Sequence, residues 1–167
     1  SASTGSASDL AAELFKSMTG VDIVQIPYKG TGQALSAMIG GETQLMFATA
    51  GTVASHIKSG RLRALAVTSA EPSALTPGLP TVAESGLRGY ESASIIGLFA
   101  PARTPEAIIR RVNQESVLFL NTAEAKERLL KAGVEVVASA PADLATKVVS
   151  EIARMGKVIK DAGIKGE

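Results

Sequence analysis

Apolar residues at Leu10, Leu14, Phe15 and Met18 recur at helical spacing, so the pattern predicts a helix over Leu10–Met18 with one apolar face. Ser6, Ser8 or Asp9 can cap its start, and Gly20 can end it. Val21–Ile26 is short, β-branched and apolar, and reads as a strand that Pro27 ends. Thr31 can cap a second helix, Gln33–Ile39, which Gly40 and Gly41 stop. Gln44–Phe47 reads as a second strand and Thr52–Lys58 as a short helix. Leu62–Ser69 reads as a third strand, with the continuous apolar centre of a strand buried on both faces.

Beyond Ser69 the pattern changes. Glu71–Pro80 carries three prolines and is an irregular loop. Pro80–Glu84 can form one helical turn ended by Gly86, and Tyr90–Ala100 is extended. Thr104 is expected to cap a helix over Glu106–Leu120, with Pro105 in its first position. Thr122–Lys131 is a further helix, Val134–Ala138 a strand, and Pro141 opens a last helix that ends at Gly163. Its expected inner face is Leu144, Val148, Ile152, Met155 and Ile159. A composition boundary falls at Gly97–Pro105, and the chain after it is helix-rich.

Alternating strands and helices with short glycine-marked links predict an α/β unit with a largely parallel sheet. Such sheets bind ligands at the carboxyl ends of their strands. Three loops would then share one edge: Ser3–Ser8, Lys29–Gly32 and Ala48–Thr52, all small, hydroxyl-rich and glycine-containing. Ser3, Thr4, Gly5, Ser6, Ser8, Lys29, Gly30, Thr31 and Thr49 are the candidate ligand residues. The first loop leads into a helix, whose first amides have no internal partners and carry partial positive charge. A small carboxylate or phosphate suits that place, and so does an ordinary helix cap.

Composition narrows the chemistry. Among 167 residues, 46% are hydrophobic, enough for a sizeable core. Net charge is +1 with the basic residues dispersed, which gives no footprint for nucleic acid. There is no cysteine and one histidine, so zinc-type spacing is impossible, and no cofactor or metal is implied. His56 has no carboxylate at a useful spacing, and no serine sits in a Gly-x-Ser-x-Gly elbow. Asp9, Glu13, Asp22 and Glu42 read as caps and solvated charges. The chemistry favours a binding module over an enzyme. The chain starts at Ser1, inside a functional-looking loop and without a signal peptide, and is expected to be a fragment.

Several segments then carry a resemblance. They are Thr4-Gly5-Ser6 with Asp9-Leu10-Ala11 and Glu13-Leu14-Phe15-Lys16; Ile26-Pro27-Tyr28-Lys29-Gly30; Gly40-Gly41 with Gln44-Leu45-Met46-Phe47; and Gly60–Thr68. Leu79–Gly86, Gly97–Pro105 and the closing Lys157–Lys165 continue it in order. Together they resemble the Bug family of periplasmic solute receptors, the extracytoplasmic component of tripartite tricarboxylate transporters. The resemblance implies a type II periplasmic-binding-protein-like fold, in which two α/β domains close on a small organic carboxylate like a clamshell. Residues 1–97 would be the second, ligand-binding domain, and 98–167 a hinge and helix-rich segment returning to the first. Thr4, Gly5 and Ser6 inherit a ligand role by position. The partners implied are a small organic carboxylate and membrane transporter subunits, with a periplasmic location. Two departures stand out: Ser3 where the family usually has Gly, and Asp9 where it usually has His. A sensing module, or an α/β enzyme acting on a phosphorylated or acyl substrate, are the alternative readings. The apolar faces of the C-terminal helices, with Leu118, Leu129, Leu130, Val148, Ile152 and Ile159, are expected to make the fragment a homodimer or larger assembly.

Overall fold

The computed structural model describes residues 5–161, 163 and 164. It contains six α-helices: α1 (Ala7–Thr19), α2 (Thr31–Ile39), α3 (Ala50–Lys58), α4 (Glu106–Leu120), α5 (Ala123–Lys131) and α6 (Pro141–Asp161). All six helices that the periodicity predicts are present. Their starts follow local chemistry. Ser6 caps α1, its Oγ accepting from Asp9 N–H, and Thr122 caps α5 by accepting from Ala125 N–H. Gly20 closes α1 in the left-handed conformation, φ 70°, and its N–H donates to the Lys16 carbonyl at 2.8 Å. The start of α4 differs from expectation. Pro105 is itself the boundary residue, with ψ 138°, and its carbonyl accepts from Ile108 and Ile109 N–H. Thr104 does not cap; its N–H donates to the Pro101 carbonyl. The start of α2 also lacks a side-chain cap, so Thr31 is its first residue and not its cap.

The expected strands are where the structure departs most. Among the described residues, Val21–Ile26, Gln44–Phe47 and Val134–Ala138 form no strand, and the sheet is reduced to one parallel bridge between Val67 and Thr81. Val67 N–H donates to the Pro80 carbonyl, and Val82 N–H to the Val67 carbonyl, each at 2.9 Å. The neighbouring Thr68 carbonyl accepts from Ser92 N–H at 2.7 Å. Successive residues of an extended chain aim their polar groups at opposite edges. The third expected strand therefore has a neighbour on each side at 67–68, the nucleus of the predicted sheet. Strand preference is largely a matter of what lies alongside, and among the described residues no ladder joins the other segments. Val137, in the last of them, is 83% exposed.

The core gathers around α1 and α6, which lie against each other. Leu14, Tyr90 and Val158 are buried together, with Phe15, Phe47, Val82, Leu87 and Met155 packed on them. Burying such side chains stabilises by about 1.5–3 kcal/mol each. Phe15 meets Phe47 at a ring separation of 5.9 Å and Tyr90 edge-on at 6.1 Å. Tyr90 is 1% exposed, and its hydroxyl donates to the Ala11 carbonyl of α1 at 2.9 Å. Just beyond it, Glu91 receives Lys147 of α6 at 2.7 Å, and the Glu91 carbonyl accepts from Arg154. Arg154 also pairs with Glu151 on its own helix.

One correction concerns α6. Leu144, Val148, Met155 and Ile159 are half-buried on the expected inner face, with Glu151, Arg154 and Val158 beside them, whereas Ile152 is 66% exposed. Within the chain the helix packs on α1 and on the 90–92 segment. The spans before and after residue 97 meet again at Gly51 and Gly133, where backbones touch, and at Glu135, which accepts from Ser73 Oγ and Ala74 N–H.

Candidate functional site

The candidate loops all lie at helix starts. Gly5 and Ser6 lead into α1 and Ser8 lies in its first turn, Lys29 and Gly30 lead into α2, which Thr31 begins, and Thr49 leads into α3. Ser3 and Thr4 lie outside the described residues. A helix start offers N–H groups and the positive end of a dipole worth about half an elementary charge.

The loop before α1 is tightly organised. Gly5 has φ 76°, a conformation that favours glycine. Ser6 Oγ accepts from Asp9 N–H at 3.3 Å and lies 3.1 Å from Ser8 Oγ. Leu10 N–H donates to the Ser6 carbonyl at 2.9 Å. Asp9 turns back along the loop. Its Oδ2 accepts from Gly5 N–H at 2.6 Å, and its Oδ1 accepts from the Gln25 side-chain amide. Asp9 is 1% exposed. The Ser6 and Asp9 spacing resembles a capping box, with the carboxylate reaching the residue before the cap.

The structure thus brings Gly5, Ser6 and Ser8 together around Asp9 and Gln25. Among the described residues, no hydrogen bond joins that cluster to Lys29, Gly30, Thr31 or Thr49. Thr49 Oγ1 lies 2.6 Å from Thr52 Oγ1, and Lys29 and Thr31 are exposed. A groove of about 630 Å³ runs beside α3, with Ile57, Lys58, Arg63, Leu75 and Thr76 in its walls and none of the candidate residues. Sequence reasoning missed Gln25. It sits in an expected strand, and its contact with Asp9 spans 16 positions. The signal for Asp9 was present in the Ser-x-x-Asp spacing.

The shifted titratable groups lie elsewhere. Burial pushes the Tyr90 phenol up to about 12, partly offset by the Arg154 charge. The hydrogen bond from Lys147 holds Glu91 below the usual carboxylate range, and the same bond raises Lys147. These groups tie α6 to the 90–92 segment, and structural ion pairs shift such groups as active sites do. His56 lies on α3 with its Nδ1 enclosed and without a hydrogen-bond partner among the described residues. The α1 loop offers neutral donors and hydroxyls, the equipment for holding an oxyanion without reacting with it.

Known proteins resemble this chain along nearly its whole length. A family model described as "Tripartite tricarboxylate transporter family receptor" matches residues 1–164. A solved structure described as "R. palustris Rpa4515 with adipate" is 38% identical with a TM-score of 0.80, covering 96% of this chain and 54% of that one. The periplasmic binding protein BugD is 30% identical with a TM-score of 0.72, over 98% of this chain and 55% of that one. MatC from Rhodopseudomonas palustris, with bound malate, is 30% identical with a TM-score of 0.72, over 93% of this chain and 54% of that one. The chain spans 48% of the length of two curated relatives, at 32% and 34% identity, and 94% of a third. The expected periplasmic-binding-protein fold is therefore present, as about half of the solved relatives' length, although the hydrogen-bonded sheet is confined to the Val67–Thr81 bridge among the described residues.

Proposed function

The chain belongs to the tripartite tricarboxylate transporter receptor family, and from that premise we propose that it serves a periplasmic receptor that captures a small organic carboxylate and hands it to membrane transporter subunits. The observation that carries this reading is the likeness, over 96% of the chain, to a protein with bound adipate. The loop before α1 supports it, because its serine hydroxyls and helix-start amides suit a polar ligand. Ser3, Thr4, Gly5, Ser6 and Ser8 would form one wall of the cleft. Lys29, Gly30, Thr31 and Thr49 would stand at the neighbouring helix starts. Residues 1–97 would act as the ligand-binding domain, and 98–167 as hinge and returning segment. Domain closure would replace water around the ligand, and the protein would bind without catalysing a reaction. The exposed faces of α4 and α6, with Leu118, Phe119, Val149 and Ile152, would favour self-association of the isolated chain.

Calorimetry on the full-length protein with a panel of small acids tests the reading. One or more acids should bind saturably, and Ser6→Ala should weaken that binding by about 1–2 kcal/mol. The isolated chain should bind the same acid far more weakly, since one wall gives little enclosure. A panel in which no acid binds the full-length protein would overturn the proposal.

A further inference from the structure

The segment after α5 joins the spans on either side of residue 97 at two points. It leaves the helix in a fixed direction. Gly133 has φ 80°, its N–H donates to the Leu130 carbonyl, and Val134 N–H donates to the Leu129 carbonyl, each at 2.9 Å. The first point is backbone against backbone. A carbon added to Gly133 would lie 2.8 Å from the Gly51 Cα in the first turn of α3, and one added to Gly51 would lie 3.2 Å from the Ala132 carbonyl oxygen. A side chain at either position would push the two backbones apart. The second point is a single side chain. The Glu135 carboxylate accepts from Ser73 Oγ at 3.1 Å and from Ala74 N–H at 2.6 Å. Ser73 Oγ in turn accepts from Leu75 N–H at 3.1 Å, so the turn is ordered around that grip. The two points differ in kind. The glycine contact is a steric fit. The Glu135 contact is polar, and Glu135 and Ala74 are both exposed; hydrogen bonds open to water in this way give way at little cost. Among the described residues the closely packed helix pairs are α1 with α6 and α4 with α5, and α3 with α5 is not one of them.

We infer that Gly51 and Gly133 form a pivot and Glu135 a releasable catch, which holds the segment after α5 against residues 73–74 while ligand is bound and sets the rate of ligand release. The inference rests on the receptor reading and adds a control on its site. The pivot lies in the helix turn that follows Thr49, a candidate ligand residue, so a ligand held there and a closed catch favour the same arrangement. Glu135 is a positioning residue and acts through the cover that it keeps over the start of α3.

Two measurements on the full-length protein test it, with adipate as the probe, malate if adipate does not bind, and the tightest acid of the wider panel if neither does. The first places spin labels at Glu71→Cys and Val137→Cys, exposed positions flanking the catch, and leaves Glu135 intact. This chain has no cysteine of its own, and any cysteine elsewhere in the full-length protein is replaced by serine. Pulsed electron resonance should give one short label separation with saturating acid and a second, longer population without it. The second measurement times the uptake and release of the radiolabelled acid by rapid filtration. Glu135→Ala should release it about three- to tenfold faster with uptake unchanged, the scale of one lost hydrogen bond to a charged group. Glu135→Gln keeps an acceptor and should fall between. A structural role alone would lower the melting temperature and leave the release rate as it is. A label separation that is the same with and without acid overturns the inference and leaves the receptor reading standing. So does a release rate unmoved in Glu135→Ala. If that variant folds poorly, the label measurement decides, since it needs no change at Glu135. If no acid of the panel binds the wild type, the receptor reading falls and the inference with it.

Discussion

Replacing Tyr90 with Phe removes one oxygen from the centre of the fold, and its consequences can be worked through. The hydroxyl donates to the Ala11 carbonyl, tying the segment after Leu87 to α1. Loss of one such hydrogen bond costs about 1 kcal/mol, since the ring itself stays packed. A second effect depends on pH. Burial raises the phenol from 10.0 to about 12. A raised value means that the folded state favours the neutral phenol. The associated stability is fully present below the unfolded value and is lost as pH climbs through the folded one. A two-unit shift integrates to about 3 kcal/mol lost by the upper end of that window. Lys147, also raised by its bond to Glu91, loses stability at alkaline pH too, but in both proteins alike. The difference between wild type and Tyr90→Phe isolates the phenol. Urea unfolding of both proteins should show the wild type more stable at neutral pH. The gap should close and then invert as pH approaches the raised value. The chain has two tyrosines, so the phenolate absorbance step that disappears in Tyr90→Phe belongs to Tyr90. A gap that stays constant across the alkaline range, or a Tyr90 that titrates at its ordinary value, would refute this reasoning.

Gly133→Ala should destabilise the chain strongly, because φ is 80° and the added carbon would lie 2.8 Å from the Gly51 Cα; thermal denaturation measures it, and a melting temperature equal to the wild type would contradict the close approach. Ser6→Ala should cost about 1 kcal/mol of stability by removing the cap of α1, read by urea unfolding and independent of any ligand effect. Glu91→Gln should abolish a small stabilisation that is present above the unfolded carboxylate value and is lost as pH falls through the lowered folded one. The pair is half open to solvent, so acid titration of unfolding should show a difference under about 1 kcal/mol between wild type and variant. Light scattering should find the isolated chain larger than a monomer, and a clean monomer at micromolar concentration would remove the self-association proposal.

The helices were legible in the sequence because their signals are local. Ser6, Gly20, Thr122 and Gly133 act within a few residues of the ends they mark. The strands were less so. Val21–Ile26 has the composition of a strand, but a ladder depends on what lies alongside, and composition does not supply that. On α6 one position of the stripe, Ile152, misled for a related reason. Ile152 is apolar and Glu151 charged, yet Glu151 faces inward because Lys147, Arg154 and Glu91 gather there. Of the α1 loop, Ser6 as cap was readable, and Asp9 was readable as a residue with two possible roles. Which role it takes depends on Gln25, whose side chain arrives from a separate segment.

The most direct test of the receptor reading is calorimetry on the full-length protein with small carboxylic acids, each paired with its methyl ester. Saturable binding of at least one acid, lost when its carboxylates are esterified and followed by no chemical change in the ligand, is the predicted result. Equal binding of acid and ester, turnover of the ligand, or no binding at all would contradict it.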